Sequence, residues 1–127
     1  MDRAPSLEPY LKIDGRKILA DVMGTFERYK PTEAAHEDYL LSIEGERFGE
    51  SMRYVRSCPE QLLILGDLLP KIETPVQLIA GARDPVVPPV NAEYLHERLP
   101  RSKLDIINAL HFIWEDATDT YAALVTS

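Results

Sequence analysis

The sequence predicts an α/β fold in which a helical segment precedes a β-α-β-α unit of a parallel sheet. Three observations predict it. Two short apolar runs, Val76-Gln77-Leu78-Ile79-Ala80 and Leu104-Asp105-Ile106-Ile107, have strand length and β-branched content. Between them Ala92, Leu95 and Leu99 fall at helical spacing. Before Thr74-Pro75 the pattern is helical throughout, with prolines as punctuation. The chain therefore divides into a helical segment over 1–73 and a β-α-β-α part over 74–127.

The elements follow in order. Asp14 caps a helix over about Arg16 to Tyr29, with Ile18, Leu19, Val22, Met23 and Phe26 on its apolar side and Lys30-Pro31 as its stop. Thr32 caps a second helix carrying Ala35, Tyr39, Leu40 and Ile43, with Gly45 beyond its end. A third runs from about Glu46 to Arg56, with Phe48, Met52 and Val55 inward. Ser57 and Pro59 suit the start of a fourth, carrying Leu62, Leu63 and Leu65 and broken by Gly66 and Pro70. A strand over Val76 to Ala80 leads into a proline-rich loop, Gly81 to Pro89. A helix over Val90 to Leu99 and the turn Pro100-Arg101-Ser102 bring in a second strand, Lys103 to Ile107. After the Asn108 to Trp114 loop a last helix begins near Glu115, with Tyr121, Ala122, Leu124 and Val125. A strand, a helix and a strand in succession imply two parallel strands joined by a crossover. Such strands are normally buried on both faces within a larger sheet, and a pair alone leaves two open edges. The pattern predicts further strands or a partner that supplies them.

Bulk properties narrow the function. The chain has 127 residues, 45% of them hydrophobic, enough for one domain with a core. A net charge of −7 argues against nucleic acid and anionic membrane as partners, because both select clustered Lys and Arg. Cys58 is the sole cysteine, so the sequence offers no internal disulfide and no thiolate zinc cluster, in keeping with a reducing cytoplasm. No apolar stretch approaches the ~20 residues a membrane span needs. Met1-Asp2-Arg3-Ala4-Pro5 has no apolar signal-peptide core.

Asp84 and His111 are the candidate catalytic residues. Each follows one of the two strands, and strand carboxyl ends place such groups along one edge of a sheet, where loops shape a pocket. Twenty-seven residues separate them, room for one helix and one strand, so their side chains can converge from adjacent loops. A histidine held by a carboxylate can take a proton from a nucleophile, while the carboxylate fixes its tautomer and stabilises the imidazolium.

Thr74 to Ala123 resembles the C-terminal part of the α/β-hydrolase family. The matching features are Thr74-Pro75-Val76, Gly81-Ala82-Arg83-Asp84-Pro85-Val86-Val87-Pro88-Pro89, Asn91-Ala92-Glu93, Leu99-Pro100 and His111-Phe112-Ile113-Trp114-Glu115-Asp116. The resemblance implies that Asp84 is the acid after the seventh strand and His111 the histidine after the eighth. It implies that Arg16 to Leu69 is the cap, or lid, inserted before the seventh strand. It also implies hydrolysis of an ester-like or similar small substrate by a nucleophile-His-Asp triad, as in esterases and cofactor-free haloperoxidases, or in epoxide and haloalkane hydrolases with an Asp nucleophile. The family's G-x-S-x-G turn does not occur, and Leu110 stands where the family usually carries glycine. The chain thus reads as a C-terminal fragment lacking the nucleophile, inactive by itself.

Other residues receive plainer readings. Gly49-Glu50-Ser51-Met52-Arg53 imitates the elbow, but no strand precedes it and Arg53 stands where a small residue is needed. Cys58 reads as packing. His36 and His96, on charged helices, read as solvated. His111 and Glu115 have i,i+4 spacing but lack the H-E-x-x-H pattern, so no metal is expected, and no cofactor. Phe112 and Trp114 read as anchors of the last helix rather than pocket walls. In the intact relative the partner is a small-molecule substrate. The alternative is a non-catalytic, truncated remnant acting as an interaction or oligomerisation module, pairing its strand edges in a homo-oligomer. A complementing hydrolase N-terminal half on a separate chain is a further expected partner.

Overall fold

A computed structural model describes residues 8–127. The reading of Met1 to Pro5 as carrying no signal peptide lies outside the described residues. The elements are α1 (Glu8–Leu11), α2 (Gly15–Met23), α3 (Glu33–Ser42), α4 (Arg47–Ser51), α5 (Cys58–Leu68), β1 (Val76–Gly81), α6 (Val90–Arg98), β2 (Ser102–Ile107), α7 (Ile113–Asp116) and α8 (Thr118–Val125), with short 3₁₀ turns at Tyr54–Ser57 and Leu69–Lys71. They form two compact units. One comprises 8–24 and 31–65; the other comprises Thr25–Lys30 and Gly66–Ser127. No helix among the described residues is long and apolar enough to cross a membrane.

In the helical unit, local chemistry starts each helix. The Asp14 carboxylate accepts the Arg16 and Lys17 N–H groups at the head of α2, and the Thr32 hydroxyl accepts the Ala35 N–H at the head of α3. Both satisfy donors that a first helical turn leaves orphaned. Gly45, with φ +65°, is the one residue with positive φ among those described, and it reverses the chain after α3. Met23 and Leu40 are the buried apolar side chains of this unit.

Three expectations here need correction. The first helix ends at Met23 rather than Tyr29, capped by Gly24, whose N–H bonds the Ala20 carbonyl. The expected Glu46 to Arg56 helix is split into α4 and the Tyr54–Ser57 turn. Ser51 and Ser57 each donate to a carbonyl three residues back, the side-chain competition that weakens a helix interior. Leu62, Leu63 and Leu65 on α5 do not enter a core; Leu63 is 74% exposed.

In the second unit β1 and β2 pair in parallel, Val76 opposite Ser102 through Gly81 opposite Ile107. This is the parallel pair that the two apolar runs predicted. Helix α6 packs against both strands and α8 against β2. The core gathers Ile107, Ala109 and Ile113, with Ile79, Ala117, Tyr121 and Leu124 packed around them. Gln77 and Asp105 share the α8 face and satisfy each other: the Gln77 amide donates to the Asp105 carboxylate and to the Leu124 carbonyl. The expected last helix is broken at Ala117 (φ −134°, ψ 41°) into α7 and α8. The described sheet has two strands. Ile106, next to the end of β2, is 47% exposed.

Candidate active site

Strand β1 ends at Gly81, and the Asp84 N–H closes a turn back onto its carbonyl. Beyond the turn, Pro85 and Pro88-Pro89 limit the loop's freedom before α6 begins. Strand β2 ends at Ile107, and its loop runs alongside the first: Ala82 N–H donates to the Ile107 carbonyl and Arg83 N–H to the Ala109 carbonyl. Two parallel strands in register thus deliver their following loops to the same end of the sheet.

There the structure brings Asp84 and His111 together. The His111 Nδ1 lies 2.9 Å from the Asp84 Oδ2. The other carboxylate oxygen, Oδ1, accepts the Val86 and Val87 N–H groups at 2.8 and 2.9 Å. One oxygen is fixed by backbone and the other is left for the imidazole, so the acid cannot swing away from the histidine without breaking two hydrogen bonds. The Asp84 side chain is 8% exposed and that of His111 24%. A cavity of about 250 Å³ opens beside the pair, walled by Val87, Leu95, Ile113 and Trp114.

Burial pushes the Asp84 carboxyl up, but the Val87 N–H, His111 and the Val86 N–H outweigh it and hold it below the ordinary carboxylate range. Asp116 behaves alike: burial raises it, and the N–H groups of Tyr29, Arg28 and Glu27 bring it below. A carboxyl held lower in the native state than in the unfolded chain binds protons less well when folded. Its stabilisation is complete above the unfolded value, about 3.9, and is lost as pH falls through the lower native one. Glu27, Glu50 and Asp105 are shifted in the same direction. Thermal unfolding followed by circular dichroism should therefore give a midpoint that falls steeply below about pH 4. A midpoint that rises between about pH 5 and pH 3 would contradict this electrostatic picture.

Leu110 proves compatible with the loop. Among the described residues no non-glycine residue has positive φ, so Leu110 needs no left-handed conformation. The demand for a glycine is met on the opposite strand, at Gly81, whose α-carbon faces the Leu110 and Ala109 carbonyls. The two aromatics of the histidine loop part company. Phe112 is buried and packs on Phe26 with ring centroids 4.3 Å apart, as an anchor should. Trp114 is 44% exposed and lines the cavity, against its reading as an anchor. Ser51 is an exposed residue of α4 whose hydroxyl donates to the Phe48 carbonyl. His36 is exposed; His96 is also exposed but shares a 2.8 Å hydrogen bond with the Ser102 hydroxyl. Among the described residues no group of three or more His, Cys, Asp or Glu side chains is placed to hold a metal ion.

Sequence reasoning missed Arg83 and Asp116. The Arg83 guanidinium pairs with the Glu27 carboxylate at 2.8 and 2.6 Å and donates from Nε to the Asn108 side chain. Asp116, 6% exposed, accepts the N–H groups of Glu27, Arg28 and Tyr29. The sequence signal was faint: Asp116 is the second of two adjacent acids after Trp114, and nothing local separates it from Glu115.

No protein-family model matches the chain. Among curated proteins, 58 residues, 45% of this chain, are 41% identical to a pimeloyl-[acyl-carrier protein] methyl ester esterase of Neisseria meningitidis serogroup B, of which they cover 22%. A stretch of 78 residues is 27% identical to the human serine hydrolase BPHL, covering 61% of this chain and 26% of that one. Among solved structures, an esterase from Exiguobacterium antarcticum superposes with a TM-score of 0.72 over 94% of this chain, at 23% identity. The chain carries part of an α/β-hydrolase fold. A meta-cleavage product hydrolase from Pseudomonas fluorescens IP01 gives a TM-score of 0.60 over 97% of this chain, at 20% identity. The chain spans 44% and 45% of those two structures and about a quarter of the curated relatives it matches. Its parallel pair β1–β2 and surrounding helices are thus part of an α/β-hydrolase fold.

Proposed function

We propose that this chain contributes the histidine and its acid to ester-type hydrolysis, acting with a nucleophile borne by another stretch of polypeptide. His111 is the general base: its Nε2 takes the proton of the attacking nucleophile and later returns it to the leaving group. Asp84 accepts the Nδ1–H, fixes the tautomer and stabilises the imidazolium. The observation that carries this reading is the 2.9 Å Nδ1–Oδ2 contact, with the second Asp84 oxygen held by two N–H groups. The apolar wall beside it suits a small acyl group, and the names of the related esterases point the same way. The helical segment is read as cap-like, by the resemblance of its place in the sequence.

The test is hydrolysis of p-nitrophenyl acetate. The purified chain alone should give no turnover above buffer. Co-expressed with a polypeptide carrying a nucleophile elbow, it should become active; His111→Ala should abolish that activity and Asp84→Asn lower kcat about 10⁴-fold. Hydrolysis by the chain alone that disappears in His111→Ala would contradict the division of labour.

A second reading, an interaction module that pairs with a copy of itself, is favoured by the exposed apolar face of α5 and by Ile106 on β2. It predicts a compact, monodisperse dimer by light scattering. A monodisperse monomer would remove it.

A further inference from the structure

The segment between α2 and α3 does something no helix-cap argument requires. Thr25–Lys30 groups with the second unit, far from it in sequence. It is fastened there at both loops of the candidate site. From the β1 loop, Arg83, the residue next to Asp84, holds the Glu27 carboxylate with both terminal nitrogens. From α7, which follows the β2 loop, Asp116, five residues after His111, collects three successive N–H groups: Glu27 at 3.1 Å to Oδ1 and 2.9 Å to Oδ2, and Arg28 and Tyr29 at 2.8 Å each to Oδ1. Consecutive N–H groups converging on one carboxylate make a concave anion nest, here filled by the protein's own side chain. Between these two anchors Phe26 stacks on Phe112, whose ring in turn stands edge-on to His111 at 5.3 Å. Asn108, on the β2 loop, receives the Arg83 Nε–H and closes the circuit.

We propose that Thr25–Lys30 is a tie that sets the separation of Asp84 and His111, with Asp116 and Arg83 as the positioning residues that fasten it. Without the tie, the hydrogen bonds that remain between the two loops are the Ala82 and Arg83 backbone bonds, the Arg83–Asn108 side-chain bond and the Asp84–His111 contact itself. The tie adds a longer path, from Arg83 through Glu27 to Asp116 and Phe112, and it keeps both loops from opening outward. Neither positioning residue touches the reacting atoms; each acts through the backbone of the loop that bears a member of the pair.

The inference deepens the reading of Asp84 and His111 as a working pair, and its test needs no turnover, so absence of esterase activity would leave it standing. The readouts are the Asp84 carboxyl titration by carbon NMR and hydrogen exchange at the Val86 and Val87 amides, which both bond Asp84. In folded Asp116→Ala the Asp84 titration should move up into the ordinary carboxylate range and both amides should lose protection, although residue 116 touches neither. Asp116→Glu, which restores the charge and the acceptors, should recover part of both. Glu27→Gln removes one anchor at an exposed position and leaves the Asp116 nest untouched, so it should shift both readouts in the same direction by less. If Asp116→Ala does not fold, Glu27→Gln decides alone. Asp84 titration and amide protection that stay as in the parent protein in the folded variant would overturn the tie.

Discussion

Gly81→Ala is expected to destabilise the second unit by about 3 kcal/mol or more, more than the usual one to three for overpacking. A Cβ at this position would be driven into the Leu110 carbonyl oxygen and would lie 2.8 Å from the Ala109 carbonyl oxygen. Both obstacles are backbone, which cannot turn aside as a flexible side chain can. The Ala109 carbonyl is also engaged by the Arg83 N–H, and the Ala109 N–H by the Ile107 carbonyl. Relief would have to come from moving the whole β2 loop, and with it His111. Gly66→Ala is the matched control. Its Cβ would meet the Tyr94 hydroxyl at 3.4 Å, an ordinary contact, and it lies within α5. It should be neutral or stabilising by about 0.5–1 kcal/mol, from the helix preference for alanine. Urea midpoints of the two variants check the ranking; Gly81→Ala as stable as Gly66→Ala would mean that the β1–β2 loops are not packed as described.

Asp116→Ala comes next, at about 3 kcal/mol. Its carboxylate is buried and serves three N–H groups, and an orphaned donor costs about 1–3 kcal/mol where water cannot replace the acceptor. The segment is partly exposed, so water recovers some of that cost. Asp116→Asn keeps one acceptor oxygen and loses the charge that strengthens the bonds, and should cost about half as much. Against a total stability of about 5–15 kcal/mol for a domain, the alanine change is large enough to read as a displaced denaturant midpoint. A cost below about 1 kcal/mol would show that the nest is solvated.

These two sites mark where the sequence was legible and where it was not. The parallel pair was legible because Val76–Gly81 and Ser102–Ile107 are short, apolar and bounded by turn residues, and because parallel strands force their connection and their loops to one end. The convergence of Asp84 and His111 followed from that placement, and their reading as a catalytic pair from the family resemblance beside it. The caps Asp14 and Thr32 were legible because an N-cap is a local interaction spanning three residues. Phe26 misled: it falls at helical spacing after Met23, yet the helix is over and the ring packs on Phe112. Nothing within Thr25–Lys30 announces that its N–H groups are accepted by a carboxylate 87 to 89 positions away. Leu62 and Leu63 misled in the opposite sense. They mark an apolar stretch of the fourth helix, and the structure leaves them at the surface. Apolar content reports that a face is to be covered, without saying by what.

The hydrolase reading stands or falls with the proton on the His111 imidazole. Long-range nitrogen–proton correlation on protein labelled at histidine nitrogen would locate it. The account predicts, for neutral imidazole, the Nδ1–H tautomer with a slowly exchanging, far-downfield proton donated to Asp84, leaving Nε2 bare as the base, and it predicts that Asp84→Asn removes that proton signal. A His111 that carries its proton on Nε2, unchanged by Asp84→Asn, would contradict it.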